Sequence, residues 1–171
     1  FAIQSVLWYV QTGNLWEWGY RGEGFYWTDP AILDVLFGWR RGLFVYTPVL
    51  FLAFLAALQL WRSDRWRASG ALLYWATTTY VISAWWIWYY GGGFGHRAFV
   101  EHYAVLILPL AIVLDRINLP LRRITIGALG LLSILHLLQM VQFHRNILHP
   151  EHMDRAMYSR VFLRFGEEYR F

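Results

Sequence analysis

The sequence predicts an all-α fold, a polytopic transmembrane helical bundle of about four full spans with a partial N-terminal helix and interfacial helices. The 171-residue chain is 58% hydrophobic and 20% aromatic, and 15% of its residues are charged, whereas a soluble domain usually carries about a quarter. The stretches 42–61, 68–95 and 124–143 contain no Asp, Glu, Lys or Arg. Each is long enough to cross a hydrocarbon core, which takes roughly 20 apolar residues.

The first 15 residues are uncharged and predict the end of a helix, with Thr12-Gly13-Asn14 as its stop. Because the chain begins abruptly at Phe1, without a basic region or a cleavage site, no signal peptide is expected. We expect residues 1–171 to form a single transmembrane domain that is a fragment of a longer protein. A polar loop is predicted to follow. Its charged residues are Glu17, Arg21, Glu23 and Asp29, with Gly19, Gly22 and Gly24 between them.

A short interfacial helix is predicted at 30–38, because Asp29-Pro30 is a helix-start signal and the apolar residues then fall on one side. The first full span is predicted at about 42–61, after Arg40-Arg41. It contains Pro48, which a membrane helix tolerates when neighbouring groups satisfy the freed carbonyl.

The remaining spans are predicted at about 70–90, 98–115 and 124–143, and residues 144–171 as a mixed, partly helical surface tail. The second span ends in a run of Trp and Tyr at 85–90, which marks a membrane face because these side chains prefer the headgroup level. The third carries Pro109 in its interior.

Alternation of the spans places the connections 62–69 and 116–123 on one side of the membrane. The glycine loop, Arg40-Arg41 and the tail lie on the other side. Near the ends of the spans each side carries six arginines, so the positive-inside rule is nearly tied. The first side concentrates its arginines in two tight loops, which favours that side as cytoplasmic.

The segment 85–102, WWIWYYGGGFGHRAFVEH, is the strongest candidate for function. The amides of Gly92 and Gly93 can form an anion-binding nest. Arg97 follows at the start of the next helix, where the dipole also favours an anion, and His96 lies beside it. We therefore predict a phosphate-bearing ligand here. The alternative is a tight re-entrant turn with Arg97 reaching the lipid headgroups.

Other charged and polar residues support weaker predictions. Glu101 and His102 begin the third span, and Glu101 either pairs with Arg97 four residues earlier or simply stabilises the helix N-terminus. Arg40 and Arg41 either bind a lipid phosphate or anchor the interface. His136 is expected to bond another helix. The acidic loop residues and the histidines at 144, 149 and 152 lack metal-ligand spacing.

Several patches of the chain resemble one family of membrane proteins. The patches are 20–25 (YRGEGF), 29–30, 36–48 (LFGWRRGLFVYTP), 85–97 continuing through Glu101 and Tyr103 to Pro109, and 147–149 with Met153. They resemble the C-terminal half of multi-span proteins of Bacteroidota that are polyprenyl-phosphate-dependent glycosyltransferases of the GT-C type.

The resemblance implies transfer of a sugar from a polyprenyl-phosphate carrier to an acceptor on the extracytoplasmic face of the bacterial inner membrane. It implies that Arg97 and Arg40 lie near the carrier phosphate, with Gly92, Gly93 and His96 around it and with Glu101, His102, Trp88 and Tyr46 in support. The catalytic carboxylate of the family belongs to a loop near the N-terminus that this chain does not match.

A second interpretation is an accessory subunit of a larger membrane complex, without catalysis of its own. Its many aromatic residues would then pack against partners. A transporter is a weaker third interpretation, because the charged groups lie at the faces and not at the midplane. We expect membrane lipids and a lipid-linked substrate as partners and no nucleic acid. No cofactor or metal is predicted, although carboxylates leave a divalent metal open.

Overall fold

The computed structural model describes residues 2–17 and 22–171 of the chain. Phe1 and the loop residues Gly19, Tyr20 and Arg21 named above lie outside the described residues. The described part is helical and has no β-strand beyond an isolated bridge between Phe25 and Trp85, so the all-α prediction is confirmed. The helices are α1 (Ala2–Thr12), α2 (Ile32–Phe37), α3 (Leu43–Tyr46), α4 (Val49–Leu60), α5 (Arg65–Ala84), α6 (Tyr103–Leu106), α7 (Leu108–Arg116), α8 (Leu119–His144) and α9 (Arg155–Val161). Two 3₁₀ turns cover Arg97–His102 and Glu167–Tyr169.

Two helical runs among the described residues are long and apolar enough to cross a membrane by length and composition. One is Arg97–Arg116, which joins a 3₁₀ turn to α6 and α7, and the other is α8. Helix α4 is apolar but shorter, at 12 residues. The two longer runs are compatible with membrane insertion.

The helix boundaries follow local chain chemistry. Helix α1 ends at Thr12 and Gly13 adopts a positive φ of 79°, as a C-terminal glycine commonly does, so this predicted stop is confirmed. Helix α2 begins at Ile32, and its N-cap is Ala31 without a side-chain cap. The prediction that Asp29-Pro30 starts this helix was therefore two residues early.

The two prolines inside the predicted spans mark breaks in the helices. Helix α3 ends at Tyr46 and α4 begins after Pro48, because a proline lacks the amide hydrogen and disfavours helical geometry in the preceding residue. In the third span α7 begins at Leu108, which places Pro109 in its first turn. A first-turn amide needs no helical partner. Both proline-containing spans are consequently segmented.

Helix α4 lies at the centre of the packing, against α5 and α7. Its buried residues are Leu50, Ala53, Ala56, Ala57 and Leu60. These positions recur at three- and four-residue intervals and so form one face. Small residues on this face let neighbouring helix backbones approach closely. The main core therefore forms around α4, where Val35, Phe99 and Leu106 are also buried.

Helix α5 ends at Ala84, six residues before the predicted end of the second span. The chain leaves the helix because residues 84–86 pair with the loop before α2. The Tyr26 amide donates to the Ala84 carbonyl at 2.6 Å, and the Trp86 amide donates to the Gly24 carbonyl at 3.0 Å. The aromatic run 85–90 is thus a non-helical segment, half-buried except for the exposed Trp86.

The C-terminal tail packs against the end of α8 and forms a second cluster of buried residues. Ile147, Leu148, Met153 and Tyr158 are buried together with Tyr46. The fully buried side-chain amide of Gln142 on α8 donates to two tail carbonyls, those of Val161 and Arg164. The tail is therefore fastened to the helix by polar contacts.

Gly42 is required where the chain turns from α2 into α3. A Cβ at this position would lie 2.6 Å from both the amide nitrogen and the carbonyl oxygen of Gly38, far inside ordinary contact. We expect Gly42→Ala to destabilise the protein by about 2 kcal/mol or more, measured as a fall in melting temperature in detergent. The matched control is Gly70→Ala in α5, where nothing lies within 4 Å. The control should be neutral or stabilising by about 1 kcal/mol, and equal effects of the two variants would contradict the argument.

Candidate functional site

The glycine loop, defined as residues 91–95, connects the aromatic run after α5 to the 3₁₀ turn at Arg97. Gly91 and Gly95 have φ values of 67° and 60°, a region that only glycine enters without strain. Tyr90 also has a positive φ, of 55°, which is uncommon for a residue with a side chain. The loop is therefore held in a specific shape by its surroundings.

Arg41 anchors the backbone just before this loop and lies beside it. Its side chain is 1% exposed. Its Nε donates to the Pro150 carbonyl at 3.1 Å, and Nη2 donates to the same oxygen. Its Nη1 donates to the Tyr89 carbonyl at 3.2 Å and lies 3.5 Å from where a Cβ of Gly93 would be. Arg41 thus ties the α2–α3 turn to both the glycine loop and the tail.

Arg40, the residue before Arg41, also contacts Tyr89. Its guanidinium carbon is 3.4 Å from the centre of the Tyr89 ring, which is a close cation–π contact. Its Nε is buried and makes no hydrogen bond among the described residues. Arg40 is therefore positioned by stacking and keeps hydrogen-bonding capacity for a further acceptor.

Three cations, Arg40, Arg41 and Arg97, form what we call the arginine cluster. Burial lowers the pKa of Arg41, and the charges of Arg40 and Arg97 lower it further. The carboxylate of Glu151 acts in the opposite direction. The cluster is accordingly a region of positive potential with Glu151 as a nearby anion.

Glu151 reaches the cluster from the tail. A Cβ placed on Gly92 would lie 3.7 Å from its Oε1 atom. The amides of Glu151 and His152 donate to Nδ1 of His149 at 3.1 and 3.0 Å. This turn fixes the backbone on which the carboxylate is mounted.

A cavity of about 460 Å³ lies beside the glycine loop. Arg97 and Glu23 supply its charged groups, and its walls are largely aromatic, from Phe25, Trp86 and Tyr90 among others. Arg97 is exposed, and it makes no ion pair with any carboxylate of the described residues. It is therefore the cation of the cluster most accessible to a ligand.

A larger apolar groove of about 820 Å³ lies between α2, α4 and α5. A row of aromatic rings leads from this groove to the smaller cavity. The ring of Tyr80, in the groove, stacks on Trp27 with centroids 5.8 Å apart, and Trp27 stacks on Phe25 at 4.6 Å. The Phe25 ring makes an edge contact with Trp85 of the cavity, with centroids 4.9 Å apart. A long apolar molecule with a charged head could follow this row from the groove to the arginine cluster.

His96 is 1% exposed, and neither ring nitrogen makes a hydrogen bond to any residue that the structure describes. Burial lowers the pKa of the imidazole to about 4, and the charge of Arg41 acts in the same direction. The Trp88 backbone lies near enough to oppose this shift without reaching hydrogen-bond geometry. His96 is therefore neutral at physiological pH and offers no charge to the phosphate that it was predicted to help bind.

The residues that were predicted to support the phosphate site contact other parts of the fold. Nδ1 of His102 lies 2.8 Å from the Tyr74 hydroxyl, and the buried Tyr46 donates its hydroxyl to the Trp39 carbonyl at 2.7 Å. Trp88 packs against the main core. Glu101 is exposed and makes no ion pair with Arg97 within 4 Å. Arg97 and Glu101 lie in a 3₁₀ turn. The three-residue period of such a turn does not place residues four apart on one face.

Gly93 lies close to the Arg41 guanidinium, and Arg40 and Arg97 are near enough to Arg41 for their charges to lower its pKa. Sequence reasoning missed Glu151, which lies 54 residues beyond Arg97 and is brought there only by the folding of the tail. It grouped Arg41 with Arg40, as a lipid-phosphate ligand or an interfacial anchor, and missed its hydrogen bonds to the Tyr89 and Pro150 carbonyls. Within residues 2–17 and 22–171 no group of three His, Asp or Glu side chains is placed to hold a metal ion.

Comparison of the chain with protein-family models, with curated proteins and with solved structures finds no match. The resemblance to GT-C glycosyltransferases therefore rests on the sequence patches alone. Of the first patch, Tyr20 and Arg21 lie outside the described residues.

Arg41 provides a direct test of the contact between loop and tail. Arg41→Ala leaves the Pro150 and Tyr89 carbonyls without their donor, and we expect a destabilisation of about 3 kcal/mol. The tail should become sensitive to trypsin at Arg155 and Arg160, as followed by limited proteolysis in detergent. Arg62→Ala, at an exposed loop position, is the control. If trypsin cleaved the tail equally slowly in both variants, the role of Arg41 in holding the tail would be refuted.

His96 predicts a pH dependence. Because its folded-state pKa of about 4 lies below the ordinary value of about 6.5, protonation favours the unfolded state. The stability conferred by the neutral ring is complete above about pH 6.5 and is lost as the pH falls toward 4, by up to about 3 kcal/mol. His96→Leu should flatten this part of the melting-temperature curve, whereas the exposed His144→Leu should not. Parallel curves for the wild type and His96→Leu would contradict the prediction.

Proposed function

We propose that this chain is part of a membrane-embedded glycosyltransferase that uses a lipid-phosphate-linked sugar donor, and that Arg97 and Arg40 bind the donor phosphate. The convergence of three arginines beside the glycine loop carries this proposal. Arginine is well suited to phosphate because its planar guanidinium donates two parallel hydrogen bonds.

The roles of the three arginines differ. Arg41 is fully buried and uses three of its five N–H donors on backbone carbonyls, so it contributes mainly charge and position. Arg40 retains a buried Nε without a partner. Arg97 is exposed at the edge of the cavity. A phosphate in this region would thus be bound chiefly by Arg97, with Arg40 in support.

The apolar groove supports an amphiphilic ligand. It is lined by aliphatic and aromatic side chains of α2, α4 and α5, which favour burial of a hydrocarbon chain. The row of aromatic rings connects it with the cavity that contains Arg97. A phosphate head and a polyprenyl tail would therefore each find a matching surface.

We propose a multi-pass arrangement in the bacterial inner membrane with four spans. Two of these spans would be the long runs Arg97–Arg116 and α8. The other two would be α5, which at 20 residues is about 30 Å long, and the broken span α3–α4. The glycine loop and the tail would then lie on the extracytoplasmic face. The three arginines in each of the loops 62–69 and 116–123 support a cytoplasmic location for those loops.

In the proposed reaction the acceptor hydroxyl oxygen attacks the anomeric carbon of the sugar. The bond from that carbon to the phosphate oxygen breaks, and the electron pair stays on the lipid phosphate. The hydroxyl proton passes to the carboxylate that the family resemblance places in another loop. Arg97 and Arg40 would stabilise the charge that develops on the leaving phosphate.

A second proposal, an accessory subunit of a larger membrane complex, is supported by the apolar surface of α1 and α8. Helix α1 has no buried residue, and α8 exposes Ile124, Leu131 and Leu137, among others. Purification in mild detergent distinguishes the two proposals. A stoichiometric partner supports the subunit, and a stable single polypeptide counts against it.

The phosphate role of Arg97 is testable by binding. We expect Arg97→Ala to weaken the binding of a polyprenyl monophosphate in detergent micelles by about tenfold to hundredfold, since a charged hydrogen-bond pair is lost. Arg160→Ala, which removes an exposed arginine of the tail, should leave the affinity unchanged. Equal affinities for the wild type and Arg97→Ala would show that the phosphate is bound elsewhere or not at all.

A further inference from the structure

A second apolar groove lies between α5 and α7. It has a volume of about 310 Å³ and borders the N-terminal half of α5, whereas the glycine loop follows the C-terminal end of that helix. On α5 it is lined by Gly70 and Ala71, and on α7 by Leu108 and Pro109. Two small residues of α5 thus meet the first turn of α7 and leave space between the helices. We call this space the α5–α7 groove.

The α5–α7 groove is accessible from outside the protein. Its lining residues Val105 and Leu108 are 42% and 55% exposed. Because Val105 and Leu108 belong to the run Arg97–Arg116, which is long and apolar enough to cross a membrane, the opening of the groove would adjoin acyl chains in a bilayer. A chain that enters the groove gains close-packed contacts with both helices.

Two arginines lie at one end of the groove. Arg67 lines the groove itself. Its Nη1 lies 3.5 Å from Oδ2 of Asp64, and Nη2 of Arg116 lies 3.5 Å from the same oxygen, so the two guanidinium groups are neighbours. These distances exceed the roughly 2.7–2.9 Å of a charge-assisted hydrogen bond, and the arginine side chains are 62% and 39% exposed. Both arginines therefore keep donors for a further anion.

Exposed tryptophans indicate that this end of the groove lies at the level of the lipid headgroups. Trp61 and Trp66 are 47% and 90% exposed, and tryptophan prefers that level of a bilayer. The connections 62–69 and 116–123 together carry six arginines and a single carboxylate, that of Asp64. This face consequently has a positive potential, which attracts anionic lipids.

We infer that the α5–α7 groove binds one anionic phospholipid, with an acyl chain in the groove and the phosphate on Arg67, supported by Arg116. This inference rests on the proposed membrane insertion and not on the proposed transferase activity. A zwitterionic phospholipid has the same chains and the same phosphate but no net charge, so it gains less from the positive face. The bound lipid would connect the N-terminal end of α5 with the C-terminal end of α7.

The test is native mass spectrometry of the delipidated protein in non-ionic detergent with equal amounts of dioleoyl phosphatidylglycerol and dioleoyl phosphatidylcholine. We expect the wild type to retain one phosphatidylglycerol, with a preference of about tenfold over phosphatidylcholine. Arg67→Ala should weaken the retention of phosphatidylglycerol by about tenfold, since a charged hydrogen-bond partner is lost. Gly70→Leu should weaken the retention of both lipids, because the new side chain fills the groove.

Two matched controls separate this site from general attraction to the membrane surface. Arg65→Ala removes an exposed arginine of the same face that does not line the groove. Gly130→Leu adds the same side chain to α8, where a Cβ, as at Gly70, would meet no described atom within 4 Å. Both controls should keep the wild-type affinities.

Three results would overturn the inference. The first is a wild type that retains neither lipid or does not discriminate between them. The second is an Arg65→Ala variant that loses as much phosphatidylglycerol as Arg67→Ala, which would indicate diffuse attraction. The third is a Gly70→Leu variant that retains both lipids as the wild type does. All of these variants leave Arg97 unchanged, so none of the three results bears on the proposed binding of polyprenyl phosphate.

Discussion

The buried guanidinium of Arg41 connects three segments that are distant in sequence. It donates to the carbonyls of Tyr89 and Pro150 from the turn between α2 and α3. A planar group with several donors can satisfy two backbone segments at once, which lysine could not do with the same geometry. Because a buried charge must be compensated by hydrogen bonds, the glycine loop and the tail have to remain where Arg41 reaches them.

The contacts of Arg41 also determine what the neighbouring residues can do. With Arg41 occupied, Arg40 stacks on Tyr89 and Arg97 remains at the cavity edge. The same attachment of the tail brings Glu151 over Gly92. The stability of the loop and the charge of the candidate site therefore depend on one set of hydrogen bonds. Loss of those bonds would alter both the fold of the tail and the balance of charge around a ligand.

The sequence singled out several residues of the candidate site but not their contacts. The glycine loop, Arg97 and Arg40 were recognisable because they are close together in the chain or flank an apolar stretch. His96 belongs to the same segment, yet the fold buries it between Tyr90 and Phe99, where desolvation keeps it neutral. The predicted Arg97–Glu101 pair assumed an α-helix, and the observed 3₁₀ turn removes the geometry on which that pair depends.

By itself the sequence determined the all-helical character of the chain, the stop of α1 and the two long apolar runs, because these depend on local composition and periodicity. Pro48 and Pro109 mark where two of the predicted spans break into separate helices, although their effect could be judged only with the neighbouring helices in place. The tertiary structure alone decided that Arg41 is buried while Arg97 is exposed, and that Glu151 faces the glycine loop. Local spacing specifies the face of a single helix, whereas burial and electrostatic partnership depend on which distant segment packs against it.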